Sequence, residues 1–273
     1  IVAVNDLNDN APAITSNASF SVDENETVIG TVTATDLDSD SITFSISGSE
    51  IDIDSSTGVL TFVEAPDYET KSTYTATVTA SDGTNATTQE LNISINNIND
   101  NEPVITSGAT FSADENQTID VGFIVATDAD GDSLSYGIDN NIGDGTEINV
   151  NATTGEITFA SKPDYETKSS YSGTVRVYEV DGGNLTTQDI TITINNLDDE
   201  SPVFSSSNSF AADENQTAIG TVTATDVDSD SITFSISGSE INIDSTTGVL
   251  AFVEAPDYET KSTYTATVTA SDG

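Results

Sequence analysis

The sequence predicts an all-β chain, a tandem row of seven-stranded β-sandwiches set end to end as an elongated rod. Three observations predict it. Apolar residues recur at period two, and no stretch shows the helical period. The same acidic and turn motifs return in the same order three times. Each set is bounded by a short polar linker: Asp6-Leu7-Asn8-Asp9-Asn10-Ala11-Pro12, then Asn97-Ile98-Asn99-Asp100-Asn101-Glu102-Pro103, then Asn196-Leu197-Asp198-Asp199-Glu200-Ser201-Pro202.

Taken in order, Ile1 to Val4 reads as the last strand of a preceding repeat, running into the first linker. The first full repeat opens with Phe20-Ser21-Val22, the acidic turn Asp23-Glu24-Asn25, and Gly30 to Thr35 leading into Asp36-Leu37-Asp38-Ser39-Asp40. Ile42, Phe44 and Ile46 then share one face and Ser41, Thr43, Ser45 and Ser47 the other, the pattern of a half-buried antiparallel strand. Ile51 to Leu60 gives two short strands about a turn that contains Gly58. After Pro66-Asp67-Tyr68-Glu69 come two long strands, alternating at Tyr74, Ala76, Val78 and Ala80 and at Leu91, Ile93 and Ile95. About seven strands in roughly 90 residues is the density of a β-sandwich.

The second repeat restates each motif as Asp114-Glu115-Asn116, Asp128-Ala129-Asp130-Gly131-Asp132 and Pro163-Asp164-Tyr165-Glu166, with an insertion at 140–145. In the third, Gly220 to Gly273 nearly duplicates Gly30 to Gly83. The strand matching Leu91 to Ile95 is missing there, which predicts an unpaired edge and an excerpt cut out of phase with its domains. The expected division is 1–10, the terminal strand and linker of a preceding repeat; 11–101; 102–200; and 201–273, a repeat lacking its last strand.

Composition narrows the chemistry. With 47 Asp and Glu against 5 Lys and Arg, the formal charge is -42, which repels nucleic acid phosphates and anionic lipid headgroups and makes cations the natural partners. The regular Val, Ile, Phe and Tyr patterns set this acidity apart from that of a disordered chain. Cys, Met, Trp and His are absent, which excludes disulfides, thiolate or imidazole metal sites and every catalytic triad that needs His or Cys. Any metal must be hard and oxygen-bound. No apolar run approaches the length of a membrane span.

The acids sit at strand ends, and the turns of a sandwich collect at its two poles. Glu24, Asp67 and Glu69 can therefore lie at one pole beside Asp100 of the linker, with Asp128, Asp130 and Asp181 arriving from the next repeat. These seven carboxylates would balance about three divalent ions, each needing about 6–8 oxygens if the ion is calcium.

The motifs together resemble cadherin repeats over essentially the whole chain. Asp23-Glu24-Asn25 is similar to the family's central-Glu motif, Ala34-Thr35-Asp36-Leu37-Asp38 to its paired-Asp motif and Asp67-Tyr68-Glu69 to its Asp-Arg-Glu motif. Asp82 is similar to its late Asp before Gly, and Asp6 to Asn10 to its linker. The resemblance implies a Greek-key sandwich of immunoglobulin-like topology and calcium at each junction. At the first it implies Asp6, Asn8, Asp9 and Asn10 with Asp36, Asp38 and Asp82. At the second it adds Asn97, Asn99 and Asn101 to the seven carboxylates. At the third it implies Glu115, Asp164, Glu166, Asn196, Asp198, Asp199 and Glu200 with Asp226, Asp228 and Asp272.

There are departures. Asn97 and Asn196 replace the linker's opening Asp, while Asp198 and Glu200 add acids where the family has Asn, so affinities are expected to differ between junctions. No Trp begins any repeat, which leaves strand-exchange adhesion without its anchor. Near-identical, Thr- and Asp-rich repeats look most like the cadherin-like repeats of large bacterial surface adhesins. Asp40, Asp132 and Asp230 are either further ligands or members of solvated turns.

The carboxylate pair Asp67 and Glu69 could suggest a glycosidase, but it recurs in every repeat with no cleft signature, and the expectation is no enzyme. Tyr68, Tyr165 and Tyr258 are expected to pack at the linkers. The sequence thus implies a calcium-stiffened extracellular chain, part of a larger secreted or membrane-anchored protein, that takes part in cell adhesion or forms the stalk of an adhesin. The alternative is a module that binds cell-surface glycans or like repeats.

Overall fold

Alternation of small apolar and hydroxyl side chains is what makes the two longest strands of the first repeat. In Thr73–Ser81 the inward residues Ala76, Val78 and Ala80 are buried, and in Ala86–Asn96 so are Leu91, Ile93 and Ile95. Thr, Ser, Asn and Glu take the opposite faces, so each strand buries one side and hydrates the other. A computed structural model describes every residue except Ile1, Ala3, Asp6 and Asp120. The described residues contain no helix, and hence none long and apolar enough to cross a membrane.

In the first repeat the strands are β1 (Ala13–Ile14), β2 (Ser19–Asp23), β3 (Val28–Thr31), β4 (Ala34–Thr35), β5 (Thr43–Ile46), β6 (Ile51–Ile53), β7 (Val59–Phe62), β8 (Thr73–Ser81) and β9 (Ala86–Asn96). One sheet has the order β2-β9-β8-β5, the other β3-β7-β6, and β1 pairs β4 separately. Long β9 runs antiparallel to β8, from Thr73 opposite Ser94 to Ser81 opposite Ala86. It is parallel to β2, from Ser19 opposite Asn92 to Asp23 opposite Asn96. That parallel pair was not legible in the alternation, which reports faces and carries no information on strand direction. Between the sheets lie Val22, Val32, Ile51, Leu60, Phe62, Val78, Leu91 and Ile93.

The order recurs in the second repeat. Thr110–Asp114 runs parallel to Leu185–Asn195, which is followed in its sheet by Ser170–Glu179 and Leu134–Ile138. Gly122–Phe123, Glu156–Phe159 and Ile148–Val150 make the other sheet. The insertion at 140–145 is a turn tied down by charge: Arg176 pairs with Asp139, and Lys168 with Asp144 at 2.5 Å. In the third repeat Ala218–Thr221, Val249–Phe252 and Ile241–Ile243 form one sheet, and Thr233–Ile236 pairs Val268–Ser271. Its buried apolar core is Val222, Phe234 and Leu250. The strand expected over Ile1 to Val4 falls partly on Ile1 and Ala3, outside the described residues; Val2 and Val4 carry no strand.

The chain packs as two compact units. One comprises Ile1–Val104, Ala126–Leu134 and Tyr178–Thr186, so the linker at Asn97 lies in the same unit as two loops of the second repeat. The other comprises Ile105–Val125, Ser135–Val177 and Thr187–Gly273 and holds the linker at Asn196.

Candidate metal centre

Two of the acidic constellations include a glutamate just past the end of a strand, Glu24 after Ser19–Asp23 and Glu115 after Thr110–Asp114. After β2 the chain turns through Asn25, at φ 65°, a left-handed conformation that asparagine tolerates better than most residues. The turn directs Glu24 inward, where it is 1% exposed. Its two oxygens accept N–H groups from two different segments, Ile98 of the linker at 2.8 Å and Tyr68 at 2.7 Å. Glu115 repeats this with Leu197 at 2.8 Å and Tyr165 at 2.7 Å, and is 2% exposed. These glutamates clamp the linker to the turn that carries the next acids.

The paired-Asp motif holds the linker from the other side. Asp130 Oδ2 accepts the N–H groups of Asp100 at 3.1 Å and Asn101 at 2.8 Å, and its backbone carbonyl accepts the Asn97 amide at 2.8 Å. Burial raises the Asp130 carboxyl, but the Asn101 and Asp100 donors outweigh it and hold the group below the ordinary carboxylate range. Asp38 receives Asp9 N–H at 3.0 Å and Asn10 N–H at 2.8 Å; Asp228 receives Asp199 N–H at 3.2 Å and Glu200 N–H at 2.9 Å. Asn196 donates to the Asp228 carbonyl at 2.9 Å. A carboxylate cannot make that donation, which gives the amides at 97 and 196 a physical reason.

Around this frame the acids converge. Glu24, Glu69, Asp100 and Asp130 bring one carboxylate oxygen each to within 4.8 Å of one another, and so do Glu115, Glu166, Asp199 and Asp228. Three Asp-x-Asp-x-Asp or linker groups do the same: Asp36 with Asp38 and Asp40, Asp128 with Asp130 and Asp132, and Asp198 with Asp228 and Asp230. Burial, with the facing charges of Glu24 and Asp130, pushes Glu69 up, and burial with the charges of Glu115 and Asp228 does the same to Glu166. Asp198 is raised by burial and then by Asp272, Asp230, Asp228 and Asp226. Asp132 is raised by burial and by Glu179, Asp128 and Asp130.

Several of these oxygens are sealed from solvent yet have no hydrogen-bond donor: Oδ2 of Asp36, Asp128, Asp132 and Asp226, Oδ1 of Asp228, and Oε1 of Glu166 and Glu179. Buried carboxylate oxygens without donors are costly unless a cation meets them. The donor set is all oxygen, as a hard divalent cation requires, so the residues fit calcium.

Other expected residues are placed differently. Asp67 receives the Thr70 hydroxyl at 2.8 Å, which with the Thr70 N–H holds it low, and it is not one of the three acids gathered around Glu24. Asp164 is bound to the Thr167 hydroxyl at 3.0 Å in the same way. Asn8 accepts the Asn85 amide at 3.1 Å, and Asp82 accepts Asn85 N–H at 2.6 Å. Asn99 donates to Glu179 at 2.7 Å. Asp6 lies outside the described residues. Asp181 is exposed. Glu179 was missed by sequence reasoning, although the period-two series Val175, Val177 points at it.

Residues 18–96 match the family model of the cadherin domain. The chain belongs to the cadherin family. It is 32% identical to human Protocadherin Fat 1 over 76% of its own length and 32% identical to mouse Protocadherin Fat 4 over 99%. It spans only 5% and 6% of those cadherin relatives' lengths. Among solved structures, mouse Cadherin-23 EC22-24 superposes with a TM-score of 0.71 at 24% identity, over 97% of this chain and 94% of that one. Protocadherin gammaB7 EC3-6, solved as a cis-dimer, gives 0.76 at 19% identity, over 92% and 71%. Both show a shared fold of cadherin repeats, and the chain is of the extracellular, cell-surface kind.

Proposed function

We propose that this chain binds calcium at its linkers and that the bound ions fix each linker against the turns around it in an extracellular, adhesive cadherin. The proposal includes the repeat division at 11–101, 102–200 and 201–273. What carries the reading is the set of buried, donorless carboxylate oxygens in the acidic groups at the linkers of Asn97 and Asn196, with Asp36 alone at the first. At the middle site the groups that would hold the ions are Glu24, Glu69, Asp100, Asp128 and Asp130, with Asp67, Asn99 and Asn101 alongside. Glu115, Glu166, Asp198, Asp199, Asp226, Asp228 and Asp272 would serve the last, and Asn8, Asp9, Asn10, Asp36, Asp38 and Asp82 the first. Calcium would supply the positive charge and the high oxygen coordination that such a set demands.

The protein's own part is to hold the acids together before any ion arrives. The Glu24 and Asp130 clamps fix the backbone of the linker, and the buried oxygens that have no donor are left for metal. Loss of metal would set like charges against one another and loosen the linker, so stability and linker order should rise together with calcium. Calorimetric titration of the 273-residue chain, with melting in chelator and in millimolar calcium, tests the reading. Binding heat with several ions per linker and a higher melting temperature in calcium are expected. No binding heat with identical melting curves overturns it.

A further inference from the structure

We propose that Glu179, and not Asp181, is the carboxylate which the end of strand Ser170–Glu179 contributes to the cation site at the Asn97 linker, in the place Asp82 holds in the first repeat. The inference rests on the calcium reading above.

Alignment from the two ends of this strand gives two answers. Asp82 continues the inward series Ala76, Val78, Ala80, and the matching series Gly173, Val175, Val177 continues to Glu179. Counted back from Asn184, the partner of Asn85, the match is Asp181, because the turn is two residues longer: Tyr74 precedes Asn85 by 11 residues and Tyr171 precedes Asn184 by 13. Hydrogen bonding decides between them. Asp82 accepts Asn85 N–H at 2.6 Å while the Asn85 amide reaches Asn8 at 3.1 Å. Glu179 Oε2 accepts Asn184 N–H at 2.9 Å while the Asn184 amide reaches Asn99 at 3.3 Å. The two networks share these two bonds, and each adds bonds of its own, such as Thr84 N–H to Asp82 at 2.7 Å and the Asn99 amide to Glu179 at 2.7 Å.

Burial separates the candidates further. Glu179 is 2% exposed, and its Oε1 is sealed from solvent without a donor. Asp181 is exposed. The Oδ2 atoms of Asp128 and Asp132 are also buried and donorless; Asp130, grouped with them, accepts Asp100 N–H at 3.1 Å, and Glu179 accepts the amide of the preceding residue, Asn99, at 2.7 Å. A buried carboxylate oxygen beside three aspartates has no neutralising group of its own, and a divalent cation is the ligand that such a pocket selects.

Glu179→Gln and Asp181→Asn in the 273-residue chain, titrated with calcium by calorimetry and melted in chelator and in calcium, test the assignment. Glu179→Gln should remove one ion from the stoichiometry or weaken one class of site at least tenfold, and Asp181→Asn should stay within twofold of the parent. In chelator Glu179→Gln should melt no lower than the parent, since Gln keeps an acceptor for Asn184 and puts an amide donor among the aspartates; in calcium it should melt lower. Weakening by Asp181→Asn with Glu179→Gln unchanged overturns the assignment, as does an equal loss of melting temperature in both media with binding intact. A parent chain that takes up no calcium overturns the calcium reading itself.

Discussion

Truncating Glu24 to alanine removes the acceptor for two backbone N–H groups, at 2.7 and 2.8 Å, from inside the protein. Hydrogen bonds to a charged group contribute about 1.5–3 kcal/mol each, so the loss should be about 3–6 kcal/mol. The chain contains its own control. Glu214 occupies the same motif, but it is exposed and accepts Tyr258 N–H at 3.1 Å, so Glu214→Ala should cost less than about 1 kcal/mol. For domains of this size 1 kcal/mol moves the melting temperature by about 4–8 °C. The first-repeat transition should therefore fall by at least about 12 °C in Glu24→Ala, and the third-repeat transition by a few degrees in Glu214→Ala. Scanning calorimetry in chelator with ~1 M salt measures this without ion uptake and with a Debye length of about 3 Å. Amide exchange at Ile98 should accelerate in Glu24→Ala alone. Equal losses in the two variants, with Ile98 exchange unchanged, would place the energy in the acidic turn and refute the clamp.

Other outcomes follow from the same geometry. Glu200 stands where Asn10 donates to Asp38 at 2.8 Å and Asn101 to Asp130 at 3.1 Å; Glu200→Asn should give the orphaned Asp228 oxygen a donor and raise the melting temperature in chelator by a few degrees. Gly58 has φ +73°, and a Cβ there would lie 2.2 Å from the Val32 carbonyl, so Gly58→Ala should cost at least about 2 kcal/mol in urea denaturation. Asp54 is held far below the ordinary carboxylate range by the Thr57 N–H, with help from Ser56. A depressed folded-state value means that its contribution is present above the ordinary carboxylate range and is lost as pH falls through the lower folded value. Asn151 holds the same turn with Thr153 and Thr154 N–H at 2.9 and 3.0 Å, so Asp54→Asn should keep the fold and remove that acid-linked loss, read from denaturation between about pH 5 and 2.

The sequence made the faces of strands visible, because period two is the direct imprint of burial; it left strand direction open, and so the parallel partner of β9 was unforeseen. The acids that enclose the linkers were legible because Glu24, Asp130 and their copies recur in register. The strand-end position of Asp67 beside Glu69 is legible, but the hydrogen bonds its oxygens accept from Thr70 are a local contact that spacing does not record. Glu179 was hidden by a two-residue difference in turn length, which moves the conspicuous Asp-Gly pair away from the buried face. In the sequence Asn97 is a charge missing from the linker; its role as a donor to the Asp130 carbonyl requires knowing which backbone atom faces it.

The tie from Asn97 to that carbonyl involves no net charge, and neither does its copy at Asn196. Bonds between neutral groups are screened little by salt. These ties hold each linker backbone at one point without help from charge, so a part of its conformational entropy is lost before an ion enters and the rest is left for calcium to remove. Uptake then orders what this single bond leaves free, with affinity set in part by how few degrees of freedom remain to freeze.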